Sequence, residues 1–215
     1  MKRNLLSLRT ILALVLATMA AAVPAGPVLA FVAPPVITAP SLSSAAGVPG
    51  SPWAWGSKGA TGLGDGKTFD SKIPIPVSGL SGVVDIAAGD LHALALKSNG
   101  TVWAWGLNSQ GQLGDGTTTN RYTPVPVSGL IDVVAIAAGS AHSLALMTNG
   151  EVWAWGYNED GQLGNGLHTI SNTPVKVYGL IDVVSVAAGD SHSLAVKSDG
   201  TVWAWGNNAW CQLGD

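Results

Sequence analysis

Three histidines are the residues of this chain best suited to chemistry, because they recur 50 positions apart. His92, His142 and His192 each follow an "AAG" triplet, separated from it by two residues. A ring of imidazoles could bind a metal ion or carry protons. No second type of ligand accompanies them at short spacing, so we expect structural histidines whose rings satisfy the backbone groups of loops.

The single cysteine, Cys211, is the other reactive side chain. It has no internal disulfide partner, and in an exported protein a lone thiol could join two chains or react. Cys211 stands where Gly111 and Gly161 stand in the preceding units, and its neighbour Trp210 also departs from those units. We interpret this stretch as a degenerate repeat.

No Ser/His/Asp set, carboxylate pair or Cys/His cluster stands outside the periodic pattern, so the sequence predicts no catalytic residue, no metal site and no cofactor. Residues that recur in every unit should build the framework, and binding should occur where the units differ. These places are the long loops after each "WAWG", at 57–73, 107–123 and 157–173. The candidate partner-binding residues are Lys58, Phe69, Arg121, Tyr122, Tyr157, His168 and Ile170.

A repeat of 50 residues determines the elements that position these side chains. "WAWG" begins at Trp53, Trp103, Trp153 and Trp203, which divides the chain into repeats 53–102, 103–152 and 153–202 and a partial repeat 203–215. A period of this length is typical of arrays whose units bury their apolar faces against each other.

Four runs of strand length lie between Thr123 and Gly156: "PVPV" (124–127), "VVAIA" (133–137), "HSLAL" (142–146) and "EVWAW" (151–155). The "TNG" between the last two runs predicts a hairpin with positive φ at both central positions. Prolines at 74, 76, 124, 126 and 174 recur in the first run, which predicts that this strand lies at a sheet edge.

Both faces of these strands are apolar. Alternation places Trp153 and Trp155 on one face and Val152 and Ala154 on the other, so each sheet must lie between two others. The sequence therefore predicts an all-β fold, a β-propeller of four-stranded antiparallel blades. We expect the paired tryptophans to pack between blades, the alternative being an exposed aromatic binding surface; they are Trp53, Trp55, Trp103, Trp105, Trp153, Trp155, Trp203 and Trp205.

The motifs "AAG..H.LAL", "WAWG" and "GQLGDG" resemble the repeat of the regulator-of-chromosome-condensation family across residues 53–215. The resemblance implies a seven-bladed propeller. It also implies relatives that include a nuclear exchange factor for a small GTPase and a secreted bacterial β-lactamase inhibitor. Residues 53–215 hold candidate strands for blades of two, four, four and three strands, so we expect an incomplete propeller of about three repeats. Self-association through open blade faces is the alternative way to cover its ends.

The amino terminus reads as an export signal. Residues 1–30 combine Lys2, Arg3 and Arg9 with an apolar run from 11 to 23 and small residues up to Ala30, and an uncleaved membrane anchor is the alternative. Residues 31–52 are rich in Pro, Ala and Ser and predict a disordered linker. We expect a secreted or cell-surface protein with no membrane insertion after signal removal.

The charge balance argues against a nucleic-acid partner. The chain has 10 basic and 13 acidic residues, and removal of the signal leaves seven basic residues without a cluster. We therefore expect a non-catalytic propeller scaffold that binds a protein partner through the long loops. The alternatives that the resemblance supplies are a guanine-nucleotide exchange factor-like regulator of a small GTPase and a secreted enzyme inhibitor of the propeller type.

Overall fold

The folded part of the chain is built from β-strands. The structure, a computed structural model, describes residues 50–57 and 62–214, and within them it has thirteen strands and no helix. The proposed signal and residues 31–49 of the proposed linker lie outside the described residues. The strands are β1 (Trp53–Gly56), β2 (Ser71–Pro76), β3 (Val83–Ala88), β4 (His92–Lys97), β5 (Val102–Gly106), β6 (Arg121–Pro126), β7 (Val133–Ala138), β8 (His142–Met147), β9 (Val152–Gly156), β10 (Ser171–Lys176), β11 (Val183–Ala188), β12 (His192–Lys197) and β13 (Val202–Gly206).

The strands form four antiparallel sheets that follow one another along the chain. They are β1–β2, β3–β6, β7–β10 and β11–β13, and strands that are consecutive within a sheet pair with each other. The prediction of sheets with two, four, four and three strands is confirmed. Each complete sheet is therefore a simple meander with local connections.

The sheets are divided differently from the sequence unit Thr123–Gly156. The proline-containing run of that unit lies in β6, which pairs with β5 of the preceding sheet and sets Pro126 opposite Trp103. The long loop returns the chain to the open edge of β5, and residues 127–132 then cross to the next sheet. The first run therefore completes one blade, whereas the other three runs begin the next.

The prolines occupy sheet edges, as predicted. Strands β2, β6 and β10 carry them, and each of these strands is the last of its sheet with one strand neighbour. A residue without an N–H group is tolerated there because no second neighbour requires its hydrogen bond.

The hairpin turns differ from the predicted two-residue type. The N–H of Met147 donates to the carbonyl of Glu151 (2.9 Å), and the N–H of Gly150 donates to the carbonyl of Met147 (3.0 Å). Gly150 has a φ of 78°, whereas Asn149 is not in the left-handed region. The loop therefore has three residues and ends in a glycine bulge, and only the glycine needs positive φ.

The sheets meet along their first strands. Strand β3 contacts β7, and β7 contacts β11, so the proline-containing edges lie farthest from this common line. Antiparallel four-stranded sheets that converge on their first strands are the blades of a propeller. The fold expected from the sequence is thus confirmed for the described residues.

Each interface between sheets joins a branched aliphatic face to a face with small residues and one indole. The core between the second and third sheets contains Leu94, Leu96, Val102 and Ala104 from one side and Ala145 and Trp155 from the other. The next interface repeats the pattern with Leu144, Leu146, Val152, Ala154, Ala195 and Trp205. Small residues opposite large ones allow the sheets to approach closely.

The two tryptophans of each "WAWG" differ in burial. Trp155 is fully buried and Trp105 is buried, whereas Trp53 and Trp203 are about half exposed. The second indole of an interior pair is therefore buried between blades, whereas the first is only partly buried and packs against the margin of the core, as Trp153 does. Trp103, the first of its pair, lies at the margin of the core, and Lys97 Nζ lies 5.5 Å from the centre of its ring.

The folded region begins before the predicted boundary at Trp53. The N–H of Gly50 donates to the carbonyl of Val83 (2.9 Å), and the N–H of Val83 donates to the carbonyl of Gly50 (3.0 Å). Val133 donates to the carbonyl of Gly100 in the same way in the next unit. Residues 50–52 therefore belong to the repeat framework and not to a linker.

Candidate functional site

The first part of the second and third long loops, 107–123 and 157–173, is mostly buried between two sheets. Asn108, Gln112 and Leu113 have essentially no exposed surface. The side-chain carbonyl of Asn108 accepts from the N–H of Leu113 (2.9 Å), and its amide donates to the carbonyls of Thr117 and Thr119. A single buried amide thus closes the loop on itself. We call residues 108–115 and 158–165 the core half of these loops.

The core half is held against the next sheet by an indole. Trp155 Nε1 donates to the carbonyl of Gln112 (2.9 Å), and Trp205 donates to the carbonyl of Gln162 in the following unit (2.9 Å). At Gly114, a Cβ atom would lie 2.8 Å from the Trp155 ring, and the φ of 67° favours glycine further. The "QLG" of each loop is therefore part of the packing between blades.

The second part of each loop is exposed and varies between units. We call residues 66–70, 116–120 and 166–170 the distal half. Phe69 is 77% exposed, and Ile170 is 45% exposed. Leu167, which the sequence analysis did not select, is 58% exposed. Large apolar side chains that lie open to solvent on a fixed loop could contact another molecule.

Arg121 is used within the fold. Its Nε donates to Asp115 Oδ2 (2.8 Å), and its guanidinium also lies 2.6 Å from that oxygen. Partial burial alone would raise the pKa of Asp115. Hydrogen bonds from Thr117 and Arg121 outweigh this effect and lower that pKa below its usual range. This ion pair ties the core half to strand β6. Arg121 is therefore only partly available to a partner.

The other candidates differ in their surroundings. Tyr122 is 40% exposed at the start of β6, and its ring packs near Gly62 of the preceding loop. The hydroxyl of Tyr157 donates to Glu159 (2.9 Å), a contact that raises the pKa of Tyr157. His168 is exposed, with Nδ1 2.9 Å from the carbonyl oxygen of Glu159. Lys58 lies outside the described residues.

The recurring histidines connect adjacent blades. His92 Nε2 lies 2.9 Å from Ser143 Oγ of the next sheet, and Ser143 Oγ donates to the carbonyl of Gln112 (2.9 Å). That carbonyl also accepts from Trp155 Nε1. Since the hydroxyl has one proton and gives it to Gln112, His92 Nε2 must be the donor to Ser143. We call this chain of bonds the junction relay.

The relay occurs a second time one unit later. His142 Nε2 lies 3.0 Å from Ser193 Oγ, which donates to the carbonyl of Gln162 (2.9 Å). A Cβ atom on Gly139 would lie 2.2 Å from the His142 ring, so the "AAG" glycine leaves room for the imidazole. We expected the rings to satisfy loop backbone groups; the structure pairs both rings with serine hydroxyls, and a backbone hydrogen bond with Ser140 also acts on His92.

Burial keeps both imidazoles neutral. Loss of solvation, assisted by the neighbouring His142, lowers the pKa of His92 to about 3. Burial and the nearby His192 lower the pKa of His142 to about 4, while Asp190 acts in the opposite direction. His192 itself is only partly buried, and among the described residues it has no serine partner.

The relay is poorly suited to nucleophilic catalysis. A serine nucleophile needs a histidine that accepts its proton and a path to substrate. Here the Ser143 proton is directed to Gln112, and both His92 and Ser143 are buried. Within residues 50–57 and 62–214, no group of three or more His, Cys, Asp and Glu side chains is placed to hold a metal ion.

Cys211 fits the glycine position that it occupies. Its φ is 57°, close to the left-handed conformation of Gly111 and Gly161, and its side chain is exposed. The adjacent Trp210 is 89% exposed.

Among the described residues, no helical segment has the length and hydropathy to span a bilayer.

Sequence reasoning missed the buried polar residues of the long loops. Asn108 and Gln112 were included in loops that we considered variable, yet both are part of the core. The signal was present in the sequence, because Asn158, Gln162 and Gln212 repeat them at the 50-residue period.

The chain is similar to solved propellers. It is 30% identical to human WBSCR16 with a TM-score of 0.64, an alignment that covers 75% of this chain and 44% of that one. It is also 30% identical to yeast RCC1 (Prp20) bound to Kap60, with a TM-score of 0.62 and coverage of 74% and 40%. For Prp20p of Saccharomyces cerevisiae, described with its binding to Gsp1p and histones, the identity is 28%, the TM-score 0.64 and the coverage 77% and 43%.

The alignments span less than half the length of each of these solved chains. No sequence among the curated proteins matches significantly. The family model for the RCC1-like domain matches residues 42–215, which is well over half of the chain. With its fold and its repeated motifs, the chain therefore belongs to the RCC1-like domain family.

Proposed function

We propose that this RCC1-like array is a non-catalytic scaffold that binds a protein partner through the distal halves of its long loops. The supporting observation is the contrast within the third loop, where Asn158, Gln162 and Leu163 are buried whereas Leu167 and Ile170 are exposed; Phe69 of the first loop is exposed as well. Thr119 and Thr169 stand where Phe69 stands in the other units. A side chain that varies at a position with no packing role is free to serve recognition.

A photocrosslinking experiment tests this function. A photoreactive amino acid replaces Thr169, an exposed distal-half residue between Leu167 and Ile170, in the full chain, which is then illuminated in the cells that produce it. We expect one dominant adduct of defined mass. The adduct should disappear when the distal halves are made uniform by Phe69→Thr, Leu167→Thr and Ile170→Asn, the residues of neighbouring units.

The same photoreactive residue at Leu163, which is buried, serves as the matched control and should give no intermolecular adduct. Circular dichroism must show that the triple variant remains folded. An adduct that persists in the folded triple variant would show that the distal halves do not select the partner.

Nucleotide exchange on a small GTPase is a second candidate, favoured by the similarity to yeast RCC1. The alignment covers 40% of that protein. Release of a fluorescent GDP analogue from Gsp1p, measured with and without the chain, tests this directly. Acceleration that is lost in the triple variant would support exchange, and an unchanged release rate would exclude it for this GTPase.

We also propose that the protein acts outside the cytoplasm, on the basis of the signal-like composition of residues 1–30. Expression in the natural host should yield a mature form that lacks this segment. Intact-mass measurement of the exported protein would establish the cleavage site, and a full-length form retained in the cytoplasm would contradict export.

A further inference from the structure

Three apolar residues recur in the repeats without entering the core. In strand β7, Val133 pairs with Met147 and Ala135 pairs with Leu146, which leaves Val134 as the extra residue of a bulge. Val84 and Val184 occupy the same place in β3 and β11, and all three side chains are 40–51% exposed. A bulge changes the direction of a side chain and is often found beside a functional surface.

Two isoleucines beside these strands are also exposed. Ile131 and Ile181 lie in the connections that enter β7 and β11, and they are 65% and 59% exposed. Each connection lies between two sheets that are both present in the structure. The exposure of these isoleucines is therefore a property of the junction and not of an open end of the array.

Acidic residues follow both isoleucines. Asp132 and Asp182 each have a φ of 59°, whereas Gly82 occupies the corresponding position of the first connection with a φ of 71°. Glycine is the residue that adopts this conformation without strain, so the carboxylates are kept at some conformational cost. Within the described part of the chain, neither carboxylate forms a salt bridge. Lys176 pairs with Glu151 instead, at 2.5 Å.

These residues lie at the end of the sheets opposite the start of the long loops. The N–H of Thr148, in a hairpin turn, donates to the carbonyl of Asp132 (3.0 Å). The long loops instead leave the sheets at Gly106 and Gly156, beside the histidines. We name the surface the hairpin-end row and define it by Ile131, Asp132, Val134, Ile181, Asp182 and Val184.

We propose that the hairpin-end row docks a basic, apolar segment of a partner protein. Exposed isoleucine and valine side chains complement the apolar residues of such a segment, and Asp132 and Asp182 attract its lysines or arginines. The same carboxylates repel nucleic-acid phosphates and anionic lipid headgroups. This surface is separate from the distal halves, so the proposal can be tested independently of the function proposed above.

Fluorescence anisotropy with a defined probe tests the proposal. The probe is a labelled 12-residue peptide of alternating leucine and lysine, added to the full chain at moderate ionic strength. Two double variants copy residues of the first unit. The first combines Ile131→Ser with Ile181→Ser, because Ser81 is the equivalent residue there. The second combines Asp132→Gly with Asp182→Gly, because Gly82 is the equivalent residue. We expect each double variant to raise the Kd at least about tenfold.

Two controls define the outcome. Phe69→Thr, in a distal half, should leave the Kd unchanged, and a peptide with glutamate in place of lysine should not bind. Since the isoleucines are exposed and glycine suits the aspartate conformation, both double variants should keep the unfolding midpoint of the parent. An unchanged Kd in either folded double variant, or equal binding of the glutamate peptide, would overturn the proposal.

Discussion

The core half and the distal half of one long loop differ more than the sheets that the loop connects. In residues 158–165, Asn158, Gln162 and Leu163 are fully buried, whereas all five residues of 166–170 are exposed. Between the second and third long loops, the core half keeps five of its eight residues at the 50-residue period, including the buried Asn, Gln and Leu, whereas the distal half keeps two of five. Loop position alone therefore does not identify a binding residue, and within the long loops the recurring residues are the packed ones.

The two halves also differ in what holds them. The core half receives an indole N–H and a serine hydroxyl from the next blade at the single carbonyl of Gln112 or Gln162. The distal half is held within its own loop, by turns such as that of Thr117, whose N–H donates to Asp115 (2.9 Å), and by the Asn108 amide, which donates to the carbonyls of Thr117 and Thr119. Changes in the core half should thus affect stability, and changes in the distal half should affect binding.

The largest effect is expected at the indole that holds the core half. Trp155→Ala should lower the free energy of unfolding by about 3–5 kcal/mol, because it leaves a cavity between two blades. Trp153→Ala, two residues away and only partly buried, is the matched control and should cost less. Urea unfolding followed by circular dichroism measures both, and equal losses would contradict the assignment of the second indole to the interface.

Acid should weaken the junctions without acting directly on the distal halves. The pKa values of His92 and His142 are lowered in the folded chain to about 3 and about 4, so the unfolded chain binds more protons below about pH 6.5. Stability is retained above pH 6.5 and falls as the pH decreases toward 4, by up to about 1.4 kcal/mol per pH unit for each histidine. Unfolding measured across this range in the parent and in His142→Gln should show a smaller slope in the variant. Equal slopes would exclude His142 as a source of acid sensitivity.

Ser143→Ala should have an intermediate effect. The first interface already has alanine at this position, Ala93. The substitution leaves His92 Nε2 without its partner and should cost about 1–3 kcal/mol. Combined replacement with His92→Leu tests whether the relay acts as a unit, because the double variant should lose less than the sum of the two single losses. Strict additivity would show that the two side chains contribute separately.

The smallest effect is expected where the core half meets strand β6. Arg121→Ser, which copies Ser171 of the next unit, removes the ion pair with Asp115. Because Arg121 is partly exposed, the loss should be at most about 1 kcal/mol and should decrease with added salt. Thermal unfolding at low and high ionic strength checks this, and a large salt-independent loss would indicate that packing is the main contribution of Arg121.

Much of the fold could be predicted because it depends on local patterns repeated four times. The "WAWG" period, the alternation of large and small residues and the edge prolines gave the sheets and their number of strands. Hydrogen bonds between sheets were harder to foresee, because partners such as His92 and Ser143 are 51 positions apart. The turn type was wrong because the asparagine side chain bonds to the backbone at negative φ, which leaves positive φ to Gly150 alone.

The candidate site could be predicted only in part, since single-sequence reasoning does not measure burial. Phe69 and Ile170 are exposed, whereas Arg121 is occupied by Asp115. The exposed valines and isoleucines of the hairpin-end row recur with the same period as the core, so periodicity alone placed them in the framework. The bulge that turns Val134 outward depends on strand register, which the sequence does not show directly.

The most direct test of the division within the long loop compares one substitution at two sites four residues apart. Leu163 is fully buried in the core half, and Leu167 is 58% exposed in the distal half. We predict that Leu163→Ala lowers the free energy of unfolding by about 2–5 kcal/mol, whereas Leu167→Ala changes it by no more than about 0.5 kcal/mol. Losses of equal size at the two leucines would contradict the division of the loop into a packed half and a free half.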